Sequence, residues 1–272
     1  MRAVPGALDD LDLALELADL ADAITMARFR AEDLLVETKP DLTPVSEADR
    51  AVEQAMREHL GSRRPDDTVF GEEYGGGESG GAPAAPAARR WIVDPIDGTK
   101  GYVRGMQVWG TLLALEDAGE MVLGVVSAPA MGRRWWAARG AGAFTTDLAG
   151  GDPRPVSVSA IRELADAQMC FGGHEEWRQS GRLEVLLTLS ERCWRTRGYG
   201  DFWQYMLVAE GAAEIALDPT VALWDVAAPM VIVQEAGGRF TDFSGAVTAA
   251  GGDGIGSNGH VHDAARSILS GS

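Results

Sequence analysis

The chain has 272 residues, 46% of them hydrophobic and 24% charged, with a formal net charge of −17. That is an ordinary globular balance, and the length suits one large domain or two fused lobes. So acidic a chain, without a dense Lys/Arg stretch, is not a phosphate-tracking nucleic-acid binder, and no apolar run reaches the roughly 18 residues of a membrane span.

Met1 to Val4 lack an apolar core and acids begin at Asp9, so no secretory signal is read there. Leu13, Leu17, Leu20 and Ile24 recur at helical spacing and predict an amphipathic first helix. A polar segment, Glu37 to Pro44, follows. Ser46-Glu47-Ala48-Asp49 then has the form of a capping box, and Val52, Ala55, Met56 and Leu60 continue that second helix. Thr68 to Phe70 predicts a short strand ending at Gly71-Glu72-Glu73. Residues 75–88, rich in Gly, Ala and Pro, predict a loop. Trp91-Ile92-Val93 predicts a strand running into Asp94-Pro95-Ile96-Asp97-Gly98-Thr99. Buried strands are expected at Val108 to Leu115 and Met121 to Ala128, and another at Arg134 to Ala138. Phe144 closes a first lobe, residues 1–148. The second lobe, 149–272, should hold a strand at Val156 to Ser159, a helix at Phe202 to Glu210 and a strand at Ala213 to Leu217. Its last helix opens at Trp224-Asp225 and stops at Gly237-Gly238. Strands and helices mix without strict alternation, so the class is α/β of the mixed α+β kind, with the two lobes forming one compact unit. Cys170 and Cys193 make no CxxC pair or ligand cluster, which fits a reducing cytoplasm.

The densest chemistry lies at residues 94–99. A strand delivers Asp94, Pro95 fixes a turn, and the turn brings Asp97 to the same side. Two carboxylates so close repel unless a proton or a cation lies between them. Gly98-Thr99 then starts a helix, whose free N–H groups suit a phosphate. Taken singly these are weak signals. Asp-Pro and Asp-Gly make ordinary turns, Glu72-Glu73 reads as a solvated acidic pair, and Asp49 and Asp225 read as acids favoured at helix starts.

Together, in this order and spacing, they resemble the inositol-monophosphatase-like, lithium-sensitive phosphatase superfamily. Gly71-Glu72-Glu73 is similar to its first motif and Asp94-Pro-Ile-Asp-Gly-Thr99 to its second. Trp224-Asp225-Val-Ala-Ala, running on to Glu235-Ala-Gly-Gly238, is similar to its third. Lys39-Pro-Asp-Leu-Thr43 through Asp49 and Glu53 resembles its early loop and helix, and the likeness extends from about residue 8 to about 268. The resemblance implies a layered αβαβα fold, commonly a homodimer, and two to three Mg²⁺ per site. It implies that Glu72, Asp94, the Ile96 carbonyl, Asp97 and Asp225 are metal ligands, with Asp49 helping to hold a further ion. Gly98 and Thr99 would hold the phosphate, and Thr99 and Glu72 would orient the attacking water. Ligands that are all oxygens suit Mg²⁺. Lithium inhibition is expected from the family. His260 and His262 are read as solvent-exposed, not as a metal site.

Lys100-Gly-Tyr-Val-Arg104-Gly after Asp-Gly-Thr resembles the bacterial histidinol-phosphate phosphatase branch, with Gly101 where Asn is usual. Val108-Trp109, Arg133-Arg134-Trp135-Trp136 and Arg197-Gly-Tyr-Gly-Asp201 through Gly211 resemble it too. In that reading Asp218 and Asp201 hold the substrate amine by charge-assisted hydrogen bonds, and Arg197 lines the same mouth. Asp218 also fits sugar hydroxyls, so inositol-1-phosphate and a 3′-phosphoadenosine-type nucleotide stay open as substrates. A catalytically silent regulatory protein on this fold is the non-enzymatic alternative. A haloacid-dehalogenase-type phosphatase needs aspartates one residue apart, whereas two residues separate Asp94 and Asp97. Gly254-Ile-Gly256-Ser-Asn-Gly259 matches GxGxxG, but the chain ends too soon for a dinucleotide unit, so a loop is expected.

Overall fold

The computed structural model describes residues 7–40, 42–75 and 89–270. Helix α1 (Ala7–Arg28) leads to a short antiparallel pair, β1 (Val36–Thr38) and β2 (Pro44–Ser46), within the segment expected to be merely polar. Helix α2 (Glu47–Arg63) starts at the expected capping box. Ser46 Oγ accepts from the Ala48 amide, and the Ser46 amide donates to Asp49 Oδ2 at 2.9 Å. Strands β3 (Thr68–Gly71) and β4 (Arg89–Asp97) are parallel. The expected loop between them lies, from residue 76 to 88, outside the described residues. Helix α3 (Thr99–Val103) follows. Then β5 (Gly110–Asp117), β6 (Glu120–Ala128), β7 (Arg133–Ala138), β8 (Gly142–Asp147) and β9 (Arg154–Val156) complete a seven-stranded sheet in sequence order. The strand read at residues 156–159 is therefore β9, two residues earlier. It pairs with β8, so this sheet runs past residue 148.

The second sheet is built from β10 (Gln168–Phe171), β11 (Arg195–Gly198), β12 (Ile215–Asp218), β13 (Arg239–Thr241) and β14 (Gly254–Ser257). Its spatial order is β11-β10-β12-β14-β13. Helices α4 (His174–Gln179) and α5 (Leu183–Ser190) connect β10 to β11, and α6 (Asp201–Ala209) connects β11 to β12. Helix α7 (Leu223–Glu235) follows β12, and α8 (His262–Leu269) follows β14. The GxGxxG match expected as a loop thus falls on β14, antiparallel to both β12 and β13.

Side-chain alternation sorts these elements into five layers. Trp91, Val93, Leu113 and Leu115 face α1 and α2 on the outside of the first sheet. Ile92, Leu112, Ala114 and Val126 face inward, where α6 and α7 pack between the two sheets. Met169, Phe171, Ile215 and Leu217 face outward again, onto α4, α5 and α8. The result is the αβαβα order. Each fully buried Leu, Val or Phe on these faces stabilises by about 1.5–3 kcal/mol. On α1 the buried seam is Leu13, Ala14, Leu17, Ala18 and Ala21, while Leu20 and Ile24 are only half-buried. Small alanines let α1 lie close to the sheet.

Close approach also sets α7. A Cβ on Gly124 of β6 would lie 2.5 Å from the Ala228 carbonyl oxygen of α7. Gly124→Ala should therefore destabilise by about 1–3 kcal/mol through overpacking. Gly61→Ala, in α2 with open space around it, should stabilise by roughly 0.5–1 kcal/mol. Thermal melts of the two variants would show opposite shifts.

Candidate active site

The chain between Asp94 and Asp97 is not the turn expected from Pro95. β4 continues through it, with a register shift against β5. Asp94 pairs with Leu112 and Asp97 with Gly110. Three steps on β4 thus match two on β5, which is a β-bulge. Residues three apart on a regular strand face opposite sides; the extra residue turns Asp97 to the same side as Asp94. Proline suits the bulge because it has no N–H to donate, and its carbonyl accepts from the Thr111 hydroxyl at 2.7 Å.

Asp225 reaches the pair from the first turn of α7, where its Oδ2 accepts from the Ala222 amide at 2.7 Å. One carboxylate oxygen from each of Asp94, Asp97 and Asp225 lies within 4.8 Å of the others. Asp97 Oδ2 is held by the Phe202 amide, at the start of α6, at 2.5 Å. Asp94 is 2% exposed, and its Oδ1 is buried without a hydrogen-bond partner. Burial, then the charges of Glu72, Asp97 and Asp225, push the Asp94 carboxyl well above its ordinary pKa. Burial, then Asp201 and Asp225, do the same to Asp97. Burial raises Asp225 to about 7. Three converging carboxyl groups and one orphaned carboxyl oxygen fit a hard divalent cation, bound through oxygen in place of their protons.

The other expected residues divide into three groups. Glu72 stands beside Asp94, with its amide donating to the Val93 carbonyl at 3.2 Å, but its Oε1 accepts from Lys39 Nζ at 2.8 Å. Lys39 also binds Glu73 at 2.6 Å. Asp49 is fully buried; Ser46 holds its Oδ2, and the Thr99 hydroxyl reaches its Oδ1 at 3.4 Å. Burial raises Asp49 to about 6. The Thr99 hydroxyl also donates to the Ile96 carbonyl at 2.9 Å. Gly98, left-handed at φ +85°, caps α3.

Beyond the triad opens a cleft of about 290 Å³, lined by Asp97, Asp225, Asp201 and Asp218 among others. Asp201 also takes a left-handed backbone, φ +49°, right after Gly200. Such a conformation is uncommon outside glycine but tolerated by Asp, and here it aims the carboxylate toward Gly98. Asp218 is 8% exposed; its Oδ2 accepts from Gln204 at 2.5 Å and from the Tyr205 hydroxyl at 2.8 Å. Arg197 does not line this cleft. It is exposed and donates to the Thr196 carbonyl, because side chains alternate along edge strand β11. Gly198, Tyr199 and Gly200 line the mouth instead. His262 is likewise not exposed. It is fully buried between the Thr241 and Ser257 hydroxyls, and burial lowers its pKa to about 4. His260 is exposed, as expected.

One lining residue, Glu176 of α4, has no counterpart in the sequence reading. Its only local signal is an acidic pair, Glu175-Glu176, soon after the Gly172-Gly173 that follows strand β10. The Glu72-Glu73 segment has the same pattern.

The sequence matches the inositol monophosphatase family over residues 9–270. The chain belongs to that family. Among family relatives, a histidinol-phosphatase of Streptomyces coelicolor is 51% identical over 264 residues, covering 96% of each chain. A histidinol-phosphatase of Mycobacterium tuberculosis is 51% identical over 255 residues, covering 94% of this chain and 95% of its own. An inositol monophosphatase from Zymomonas mobilis, solved as a structure, is 30% identical with a TM-score of 0.83, over 98% of this chain and 100% of that one. The layers described above are thus those of the inositol monophosphatase fold.

Proposed function

We propose that the chain is a Mg²⁺-dependent phosphomonoesterase that hydrolyses L-histidinol phosphate to L-histidinol and phosphate. The observation that carries the substrate is the charge of the cleft. Asp201, Asp218 and Glu176 line it beside the triad, and among the described residues no Lys or Arg does. Bound Mg²⁺ would answer the phosphoryl charge, but the leaving group still meets three carboxylates, which favour a substituent carrying positive charge. The ammonium of histidinol phosphate provides it through charge-assisted hydrogen bonds, and a neutral inositol ring does not. The histidinol-phosphatase names of the two 51% relatives support the same reading.

In this reading Asp94, Asp97, Asp225, Glu72 and the Ile96 carbonyl hold Mg²⁺, and Asp49 helps hold a further ion. Bound Mg²⁺ supplies Lewis-acid activation of water and counter-charge for phosphoryl oxygens. Gly98 and Thr99 seat the phosphate. Thr99, already tied to Ile96 and Asp49, orients the attacking water with Glu72. Asp218 keeps one oxygen on Gln204 and Tyr205 and offers the other to the amine. A homodimer in a reducing cytoplasm completes the reading; Cys170 and Cys193 are both free thiols.

The test is phosphate release with Mg²⁺ from L-histidinol phosphate, inositol-1-phosphate and adenosine 3′,5′-bisphosphate. kcat/KM should favour histidinol phosphate by about 10²–10⁴-fold. Asp218→Asn retains an acceptor for Tyr205 and Gln204 but presents an amide to the amine, and should erase most of that preference. A flat profile, or a preference for inositol-1-phosphate, would overturn the substrate while leaving the phosphatase.

A further inference from the structure

Glu53 lies on α2, outside the cleft, yet it is a fully buried carboxylate. A buried charge persists only when it is paired and hydrogen-bonded. Its partners converge on the turn that carries Glu72. Oε2 accepts from the Glu73 amide at 2.8 Å and Oε1 from the Tyr74 amide at 3.2 Å. Arg57, one helical turn on, donates to Oε1 through Nε at 2.9 Å and Nη2 at 2.6 Å. The same guanidinium reaches the Val69 carbonyl at 3.2 Å and the Gly75 carbonyl at 2.5 Å. The Glu53–Arg57 pair therefore grips the chain on both sides of Glu72. Gly71 makes room for it, since a Cβ there would lie 2.2 Å from the Glu53 carboxyl carbon. On the opposite side the Glu72 amide is tied to Val93, the residue before Asp94. The backbone of Glu72 is thus clamped between the strand that carries Asp94 and a buried anion on α2.

We infer that Glu53 is a positioning residue that holds Glu72 in place for the cation, an inference that rests on the reading of Glu72 as a metal ligand. Glu53 touches neither the triad nor the cleft and acts only through Glu72; a bound cation would itself hold the Glu72 carboxylate in place, so the effect should fall on cation affinity and leave turnover at saturating cation little changed. Lys39 holds the side chains of Glu72 and Glu73 from the outside, whereas Glu53 acts on the backbone beneath them.

The test is Glu53→Gln, with Mg²⁺ titrated into metal-free protein by calorimetry and kcat measured at saturating Mg²⁺. Glutamine keeps the size but turns an N–H₂ group toward donors. Partners of this kind change metal affinity by roughly 10–100-fold; the Mg²⁺ Kd should rise by that factor, with kcat within about threefold. Glu72→Gln is the companion and should weaken Mg²⁺ at least as much. An unchanged Kd in Glu53→Gln beside a weakened one in Glu72→Gln would overturn this inference and leave the reading of Glu72 intact. An unchanged Kd in both would overturn the reading of Glu72 itself. A kcat loss at saturating Mg²⁺ with unchanged Kd would also overturn the inference. If Glu53→Gln does not fold, Arg57→Lys, which keeps the charge but loses the reach to Val69 and Gly75, carries the same test.

Discussion

Asp97→Asn should leave a folded protein whose kcat falls by about a thousandfold or more, equivalent to roughly 4 kcal/mol of transition-state stabilisation. The asparagine carbonyl can still accept from the Phe202 amide, so the link between the β4 bulge and α6 survives. What is lost is one of three negative charges converging on a single point. A divalent cation held by three carboxylates is held far less well by two, and the counter-charge for the phosphoryl group goes with it. Phosphate release under saturating Mg²⁺, beside a far-ultraviolet circular dichroism spectrum, separates the two effects. A folded variant within tenfold of the parent rate would remove Asp97 from the chemistry.

The second large effect should appear in stability without substrate. Asp225 at about 7, Asp49 at about 6, and Asp94 and Asp97 well above their ordinary values all lie above the unfolded carboxylate range near 4. With the metal chelated, the folded chain therefore binds more protons than the unfolded chain from about pH 4 until Asp225 has finished titrating near pH 8. Stability must fall as pH rises through that window, on the order of a few kcal/mol in all. His262 opposes this below its unfolded value of 6.5, because its folded pKa is depressed to about 4 and stability is lost as it protonates. The decline should thus be cleanest from pH 6.5 to 8. Mg²⁺ takes the place of the protons, so its effect on Tm should be larger at pH 8 than at pH 5. Scanning calorimetry in chelator and in Mg²⁺ measures both. A chelated protein that gains stability from pH 6.5 to 8, with no Mg²⁺ response, would rule out the triad as a cation site.

What could be read from the sequence was whatever is local. The Ser46 capping box, the strand that delivers Asp94, and the acids opening α2 and α7 are each specified within a few neighbouring residues, and they appear where expected. The bulge was not legible, because it exists only against β5; Asp94 and Asp97 were expected together, but by way of a turn. Arg197 was misplaced because its side of β11 depends on pairing with β10, and a one-residue difference in register turns every side chain over. His262 gave no sign of burial, since its partners Thr241 and Ser257 lie on β13 and β14. Glu176 and the grip of Glu53 on the Glu72 turn are likewise contacts across sequence distance. Local pattern carries the caps and the ends of elements; long-range pairing decides which way a side chain points.

The place of α7 has a consequence for synthesis. The inner face of the first sheet, with Ile92, Leu112, Ala114 and Val126, is covered by helices that lie much later in the chain. While a ribosome makes the intervening stretch of roughly a hundred residues, at about 5–20 residues per second, that face waits some 5–20 seconds for its cover. The nascent chain is then a half-sandwich with one greasy side open, the form most apt to be caught by a chaperone or to stick to its neighbour on the same message. Gly124, which lets α7 dock closely, shapes the seat that this late cover must reach.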